Sequence, residues 1–245
     1  VSQTVKIKKV ICTTFTENLL RSKFYSDVFE RFELVNLSYD EEISIGDFKI
    51  QFIKTTHSIV ESSLLKIVSP IGNIIHSGDF KLDYQSYADE PFQDELVSRL
   101  KPCKLLLSDS TNSEKSGHSL SEMDVFKNLE KEITTATSRV YVAFFASNIH
   151  RFKILLDLAK QTNRQVIMMG RSLWRYYEVA LRSNFWGPTD YKPRSVDNIE
   201  KLSGNELVLC TGTQGEFFSG VNTLLRGDFP YLKFQVGDKF IHKSE

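Results

Sequence analysis

The chain has 245 residues, enough for one large domain or two modest ones, and its 41% hydrophobic and 25% charged content is that of an ordinary soluble globular protein. Lys plus Arg and Asp plus Glu balance at 31 each, which argues against a purely electrostatic nucleic-acid binder but leaves open a nuclease whose positive charge lines a channel. No apolar run reaches the length of a bilayer span and Val1-Ser2-Gln3-Thr4-Val5-Lys6 lacks a signal-peptide pattern, so no membrane partner and a cytoplasmic location are expected.

Along the chain, Val5 to Ile11 reads as a strand and Phe15 to Phe32 as one amphipathic helix. Phe48 to Lys54 alternates apolar and polar residues with the period of a half-buried strand. Ser63 to Val68 and Asn73 to His76 read as two further strands joined by Ser69-Pro70-Ile71-Gly72, where Pro followed by Gly marks a turn. Several adjacent strands of this kind predict a largely antiparallel sheet. Lys104 to Leu107 reads as a short buried strand, and the pattern changes after a boundary near Asn112 to Ser119.

Beyond that boundary strands and helices alternate. Val140 to Phe145 is a fully apolar run, and Val166 to Met169 and Glu206 to Cys210 are two further apolar runs, with helices expected from Ile149 to Ala159 and from about Leu173. Runs apolar on both faces and spaced by helices predict a parallel sheet covered on both sides. Cys12, Cys103 and Cys210 are odd in number and form no C-x-x-C pair, so reduced core thiols are expected rather than a zinc knuckle or disulfides.

Two groups of residues invite chemistry. His57 and Asp79 each follow a strand, and imidazole nitrogen with carboxylate oxygen suits Zn²⁺ or Mn²⁺. A carboxylate can also bridge two metals, a pair able to generate hydroxide and hold a phosphoryl group. By spacing alone a lone histidine at a strand end is more often a capped or surface residue than a ligand and a lone Gly-Asp is more often a turn, while Asp109 in Asp-Ser-Thr-Asn also reads as an N-cap or turn former. The second group is the strand–helix junctions Ala146-Ser147-Asn148 and Gly170-Arg171-Ser172. Unpaired N–H groups, a close-approach glycine, a forked guanidinium and hydroxyls there suit a phosphate; taken singly, each junction reads first as an ordinary N-cap. Trp174, Tyr176 and Tyr177 share one helix and read as core or interface packing. His76, His118 and His242 read as non-ligands, the last two on the surface.

Six blocks in order carry a resemblance: Thr56-His57-Ser58-Ile59; Gly72 to Lys81; Leu107 to Glu114; Phe145-Ala146-Ser147-Asn148-Ile149-His150-Arg151; Gly170-Arg171-Ser172; and Cys210-Thr211-Gly212-Thr213-Gln214-Gly215-Glu216. They resemble ribonuclease J, of the β-CASP branch of the metallo-β-lactamase superfamily, from about Val5 onward. The resemblance implies an α/β fold: a partial metallo-β-lactamase sandwich over residues 1–115 with an inserted β-CASP parallel α/β domain over 116–245. It implies a ribonuclease, both 5′-to-3′ exonuclease and endonuclease, with two divalent ions, Zn or Mn. Within it His57 is a metal ligand, Asp79 bridges both metals, and Asp109 acts beside them in proton handling. Ala146, Ser147, Asn148, Gly170, Arg171 and Ser172 form the phosphate pocket, and Gln214 and Glu216 are loop or interdomain contacts. The implied partners are RNA, single-stranded with a 5′-monophosphate, and further copies of the full protein.

The family's upstream H-x-H-x-D-H cluster and its downstream His-x-Ser-Gly-His stretch do not occur in these 245 residues. Val60, Leu173 and Phe217 stand where the family usually has Pro, Met and Pro. The expectation is an internal fragment of a diverged member that holds only part of a metal site. The alternative is a catalytically inactive structural or RNA-binding relative. A thioester or lactone hydrolase would have no use for the phosphate-binding blocks.

Overall fold

The computed structural model describes residues 6–187, 191–199, 201–212, 219–229 and 231–242. Gln214 and Glu216 lie outside the described residues. The chain divides into two compact units, Val1–Ser121 and Glu122–Glu245.

In the first unit, β1 (Lys9–Cys12) pairs in parallel with β2 (Glu33–Asn36), and α1 (Thr14–Lys23) and α2 (Ser26–Phe29) lie between them in the chain. The single helix expected from Phe15 to Phe32 is therefore two. Phe24 and Tyr25 are extended at the break, with φ,ψ of −117°,151° and −71°,157°. Phe15 anchors α1 in the core at 1% exposure, whereas Phe24 and Tyr25 are 50% and 86% exposed. With no core for those rings to face, nothing rewards prolonging the helix, and the chain turns back to lay β2 beside β1.

A five-stranded sheet follows in the order β3 (Glu42–Ile45), β4 (Phe48–Lys54), β5 (Ser63–Ser69), β6 (Gly72–His76), β7 (Leu105–Leu107), with α3 (Glu95–Arg99) between β6 and β7 in the chain. The β3–β4, β4–β5 and β5–β6 pairs are antiparallel, as expected, and β6–β7 is parallel. The β5–β6 turn closes with Ser69 opposite Gly72 and the Ser69 hydroxyl donating to the Gly72 carbonyl at 2.6 Å. Gly72 there has φ +132°, open to a residue without Cβ. The expectation of a buried strand at 104–107 is overturned, because Leu105, Leu106 and Leu107 are 49%, 58% and 46% exposed. β7 ends the sheet, so apolar composition there does not bring burial. Cys103 is likewise exposed rather than a core thiol, while Cys12 and Cys210 are buried. Burial pushes the Cys210 thiol up to about 12, which makes it a neutral core group.

The second unit holds α4 (Glu122–Thr134), β8 (Val140–Ala143), α5 (Ile149–Gln161), β9 (Gln165–Met169), α6 (Arg171–Arg182), β10 (Arg194–Ser195), β11 (Glu206–Cys210), α7 (Gly220–Arg226) and β12 (Lys239–His242). Its sheet runs β10-β9-β11-β8-β12 and every pair is parallel, as expected. All residues of β8 and β11 are buried, which explains the apolar runs Val140 to Ala143 and Leu207 to Cys210. α6 begins at Arg171, two residues before the expected Leu173, and packs Tyr177 against Trp174, Phe152 and Trp186 with ring centroids 5.9–6.1 Å apart. The helix aromatics are thus packing residues, as read from their spacing.

Candidate functional site

β4 and β6 run in the same direction because each is antiparallel to β5, and β7 runs parallel to β6. Their carboxyl ends therefore share one edge of the sheet. His57 lies three residues past β4, Asp79 three past β6 and Asp109 two past β7. The topology brings all three to that edge, and their electrostatics agree. Burial lowers the His57 pKa below the ordinary imidazole value, the negative charges of Asp79 and Asp109 pull it back up, and Lys81 adds to the lowering. The neutral imidazole this favours is the metal-binding form.

The loops beyond these strand ends are tied together. The Thr56 carbonyl accepts from the Lys81 amide at 2.8 Å, and the Thr56 hydroxyl donates to the Lys81 carbonyl and accepts from the Asp83 amide at 3.4 Å. The Ser77 amide donates to the Leu107 carbonyl at 2.9 Å, and the Ser77 hydroxyl accepts from the Asp109 amide at 2.7 Å while donating to the Gly78 carbonyl at 2.7 Å.

Asp109 is held as a carboxylate. The Thr111 hydroxyl and amide donate to its Oδ1 at 2.7 and 2.9 Å and pull its pKa below the usual range. The turn expected as the plain reading of Asp-Ser-Thr-Asn is present. An ionised Asp109 can accept a proton at neutral pH but has none to give. His76 points outward, with Nδ1 accepting from the Gly78 amide at 3.0 Å, and His118 and His242 are exposed.

His57 and Asp79 fit a divalent cation in kind, as nitrogen and oxygen donors at one edge. Among the described residues, however, no three His, Cys, Asp or Glu side chains group closely enough to hold a metal. The number of donors falls short of the four that structural zinc takes, or the three protein ligands plus water of a catalytic site.

In the second unit β8 and β9 are not adjacent. β11 lies between them and pairs with both, with Ala143 and Met169 each opposite Cys210, so the three strands end level. The two junctions at 146–148 and 170–172 thus stand one strand further apart than expected for neighbouring strands. They also differ in character. Asn148 caps α5, its Oδ1 accepting from the Arg151 amide at 2.9 Å, and the Asn148 and Ile149 amides donate to the Phe145 and Ser147 carbonyls at 2.9 Å. Ala146 is buried, so this junction offers chiefly the half-buried Ser147 and the Asn148 amide group. Gly170 opens α6 at φ +115° with no side-chain cap, Arg171 is exposed with no carboxylate partner among the described residues, and Ser172 is half-buried.

After β9 the chain moves outward to β10, and after β11 it moves the other way to β12. Such a divergence opens a crevice at the carboxyl ends of the two strands. Gly170 and Thr211 meet there: a Cβ on Gly170 would come 3.3 Å from the Thr211 hydroxyl. Thr211, which the sequence reading named only within a resemblance block, also accepts from the Gly220 amide at 3.1 Å.

Residues 137–245 match the family described as "Ribonuclease J, beta-CASP domain". The chain is 35% identical over 231 residues to a ribonuclease J of Synechocystis, covering 92% of this chain and 36% of that protein. It is 32% identical over 222 residues to a ribonuclease J of Thermus thermophilus, covering 87% of this chain and 38% of the relative. The crystal structure of a protein of unknown function from Enterococcus faecalis V583 shares the fold, with a TM-score of 0.58 at 16% identity over 81% of this chain and 52% of that one.

The class defined by fold and match is therefore α/β, as expected from the sequence: a mostly antiparallel sheet unit followed by a parallel unit that matches the β-CASP domain of ribonuclease J. Within that class residues 137–245 match the ribonuclease J β-CASP domain, and the chain is similar to ribonucleases J, spanning little more than a third of the length of these relatives.

Proposed function

We propose that the chain contributes to a ribonuclease that hydrolyses RNA phosphodiesters with divalent metal ions, Zn or Mn, by 5′-to-3′ exonuclease and endonuclease action in RNA processing and decay. The observation that carries this reading is the convergence of His57, Asp79 and Asp109 at one sheet edge in a chain akin to ribonucleases J over most of its length. His57 and Asp79 would hold the metals with donors from residues outside those described, Asp79 using both oxygens. Bound there, the ions would supply Lewis acidity and an activated water. Asp109, held ionised by Thr111, would accept a hydrogen bond or proton beside them. On the second unit Gly170, Arg171 and Ser172, with Ser147 and Asn148 beside buried Ala146, would anchor an RNA phosphate, a contribution of positioning rather than chemistry. The anchored group is a 5′-monophosphate or backbone phosphate of single-stranded RNA, and the full protein is a cytoplasmic homo-oligomer.

In the full-length protein Asp79→Ala is expected to abolish cleavage of 5′-phosphorylated RNA while RNA binding, measured by filter retention, survives. Loss of folding or of RNA binding in that variant would count against the division of labour. The shortage of metal donors among the described residues favours a second reading, a non-catalytic RNA-binding relative. Wild-type full-length protein that binds RNA yet never cleaves it with Mn²⁺ or Zn²⁺ supplied would establish that one instead.

A further inference from the structure

We propose that Thr56 and Ser77 are positioning residues whose hydroxyls hold His57, Asp79 and Asp109 in register, so that losing either hydroxyl weakens divalent-metal binding and turnover more than it weakens the fold. The metal and turnover parts of this inference rest on the ribonuclease reading above.

The three candidate groups stand on three separate segments, each beyond the last paired residue of its strand. Ladder register stops short of them, so something else must fix the segments relative to one another. Thr56 directly precedes His57 and is 8% exposed. Its carbonyl and hydroxyl make three hydrogen bonds to Lys81 and Asp83, on the segment that begins at Asp79. Ser77, two residues before Asp79, is 4% exposed. Its hydroxyl takes the Asp109 amide itself at 2.7 Å, and its own amide reaches Leu107 on the same segment at 2.9 Å.

The result is a continuous chain of ties from His57 through the Asp79 loop to Asp109. Each hydroxyl spends its proton on one backbone carbonyl and a lone pair on one backbone amide, so both of its functions are used. Valine or alanine can do neither and would leave a backbone carbonyl and a backbone amide without these partners. Serine at 56 and threonine at 77 keep the hydroxyl. Partners that orient metal ligands in this way typically matter by roughly ten- to a hundredfold in metal affinity or activity.

The test compares Thr56→Val and Ser77→Ala with Thr56→Ser and Ser77→Thr in the full-length protein. Mn²⁺ affinity is read by electron paramagnetic resonance, with kcat and KM on 5′-phosphorylated RNA and Tm on the same samples. The expected result is Mn²⁺ binding and kcat reduced roughly ten- to a hundredfold in the valine and alanine variants, with KM little changed and recovery in the hydroxyl-keeping pair. A lowered Tm with wild-type Mn²⁺ affinity and kcat in the folded fraction would overturn the proposal. If the wild-type protein neither binds Mn²⁺ nor cleaves RNA, the ribonuclease reading falls, and positioning is judged on the 245-residue chain by the His57 ring resonances. Displacement by Thr56→Val but not by Thr56→Ser supports it, and unchanged resonances in both overturn it.

Discussion

His57 carries opposing influences that a titration can separate. Burial is the largest and lowers its pKa, and the two nearby carboxylates oppose it. In the metal-free chain its ring should titrate below the ordinary imidazole value. Asp109→Asn should lower it further, because removing a negative charge withdraws support from the imidazolium. The sign for stability follows: the folded state binds this proton less readily than the unfolded state. The contribution is therefore fully present above the ordinary imidazole pKa and is lost as pH falls from there through the folded value. Ring proton shifts followed by NMR against pH check this, and a titration indifferent to Asp109 would mean the two groups are not neighbours. Arg171 offers a second residue-scale test. It is exposed, and no ion pair among the described residues explains it. In the full-length protein Arg171→Ala should raise KM for 5′-monophosphorylated RNA about ten- to a hundredfold, the loss of roughly 1.5–3 kcal/mol of a charge-assisted contact. Arg171→Lys should recover it only in part, since an ammonium lacks the fork. Unchanged RNA affinity at unchanged Tm would defeat the phosphate assignment.

At the scale of elements, the first turns of α4 and α5 are joined by an ion pair. Arg151 Nε and NH2 donate to the two Glu122 oxygens at 3.2 and 3.1 Å, with the side chains 7% and 10% exposed. Arg151 belongs to one of the sequence blocks that resemble ribonuclease J, yet its role here is to hold two helices. Breaking a buried pair from one side leaves an uncompensated charge. Glu122→Ala should therefore cost about 3–5 kcal/mol in urea denaturation, and a Glu122→Leu, Arg151→Met double variant should recover much of it. A cost within experimental error would show that water reaches the pair. Arg139 and Asp238 form a comparable pair, 2.8 Å apart and each 3% exposed, between the start of β8 and the turn before β12. Charge at both places is thus committed to structure rather than left free for a ligand.

For the whole molecule the donor count sets the expectation. His57, Asp79 and Asp109 share a sheet edge, but no three His, Cys, Asp or Glu side chains among the described residues group closely enough to hold a metal. The purified 245-residue chain, supplied with Mn²⁺ or Zn²⁺, should show background turnover only on 5′-phosphorylated RNA. Robust metal-dependent cleavage would mean that donors outside the described residues complete the site within this chain. No helix among the described residues is long and apolar enough to cross a membrane.

What could be read from the sequence was what neighbouring residues decide. The alternation of Phe48 to Lys54 is a local property, and the strand occupies those residues. The apolar runs at Val140, Val166 and after Glu206 were legible as strands buried on both faces, because each is spaced from the next by a helical stretch, the pattern of a covered parallel sheet. Val125, Leu129 and Ile133 repeat every fourth residue and are buried on α4, a pattern present in the sequence though not singled out there. Site residues were legible as types in order, through their resemblance to a family. Tertiary structure decided the rest. Whether Leu105 to Leu107 is covered depends on what lies beside the last strand, not on how apolar it is. Strand order is equally nonlocal: β11 enters between β8 and β9 because its backbone can pair with both, and nothing in either junction announces it. The helix break at Phe24 came from the absence of a core beneath it, and the commitment of the Asn148 oxygen to capping came from the turn that precedes α5. The gathering of His57, Asp79 and Asp109 follows from the directions of β4, β6 and β7, because strands that run the same way must end at the same edge.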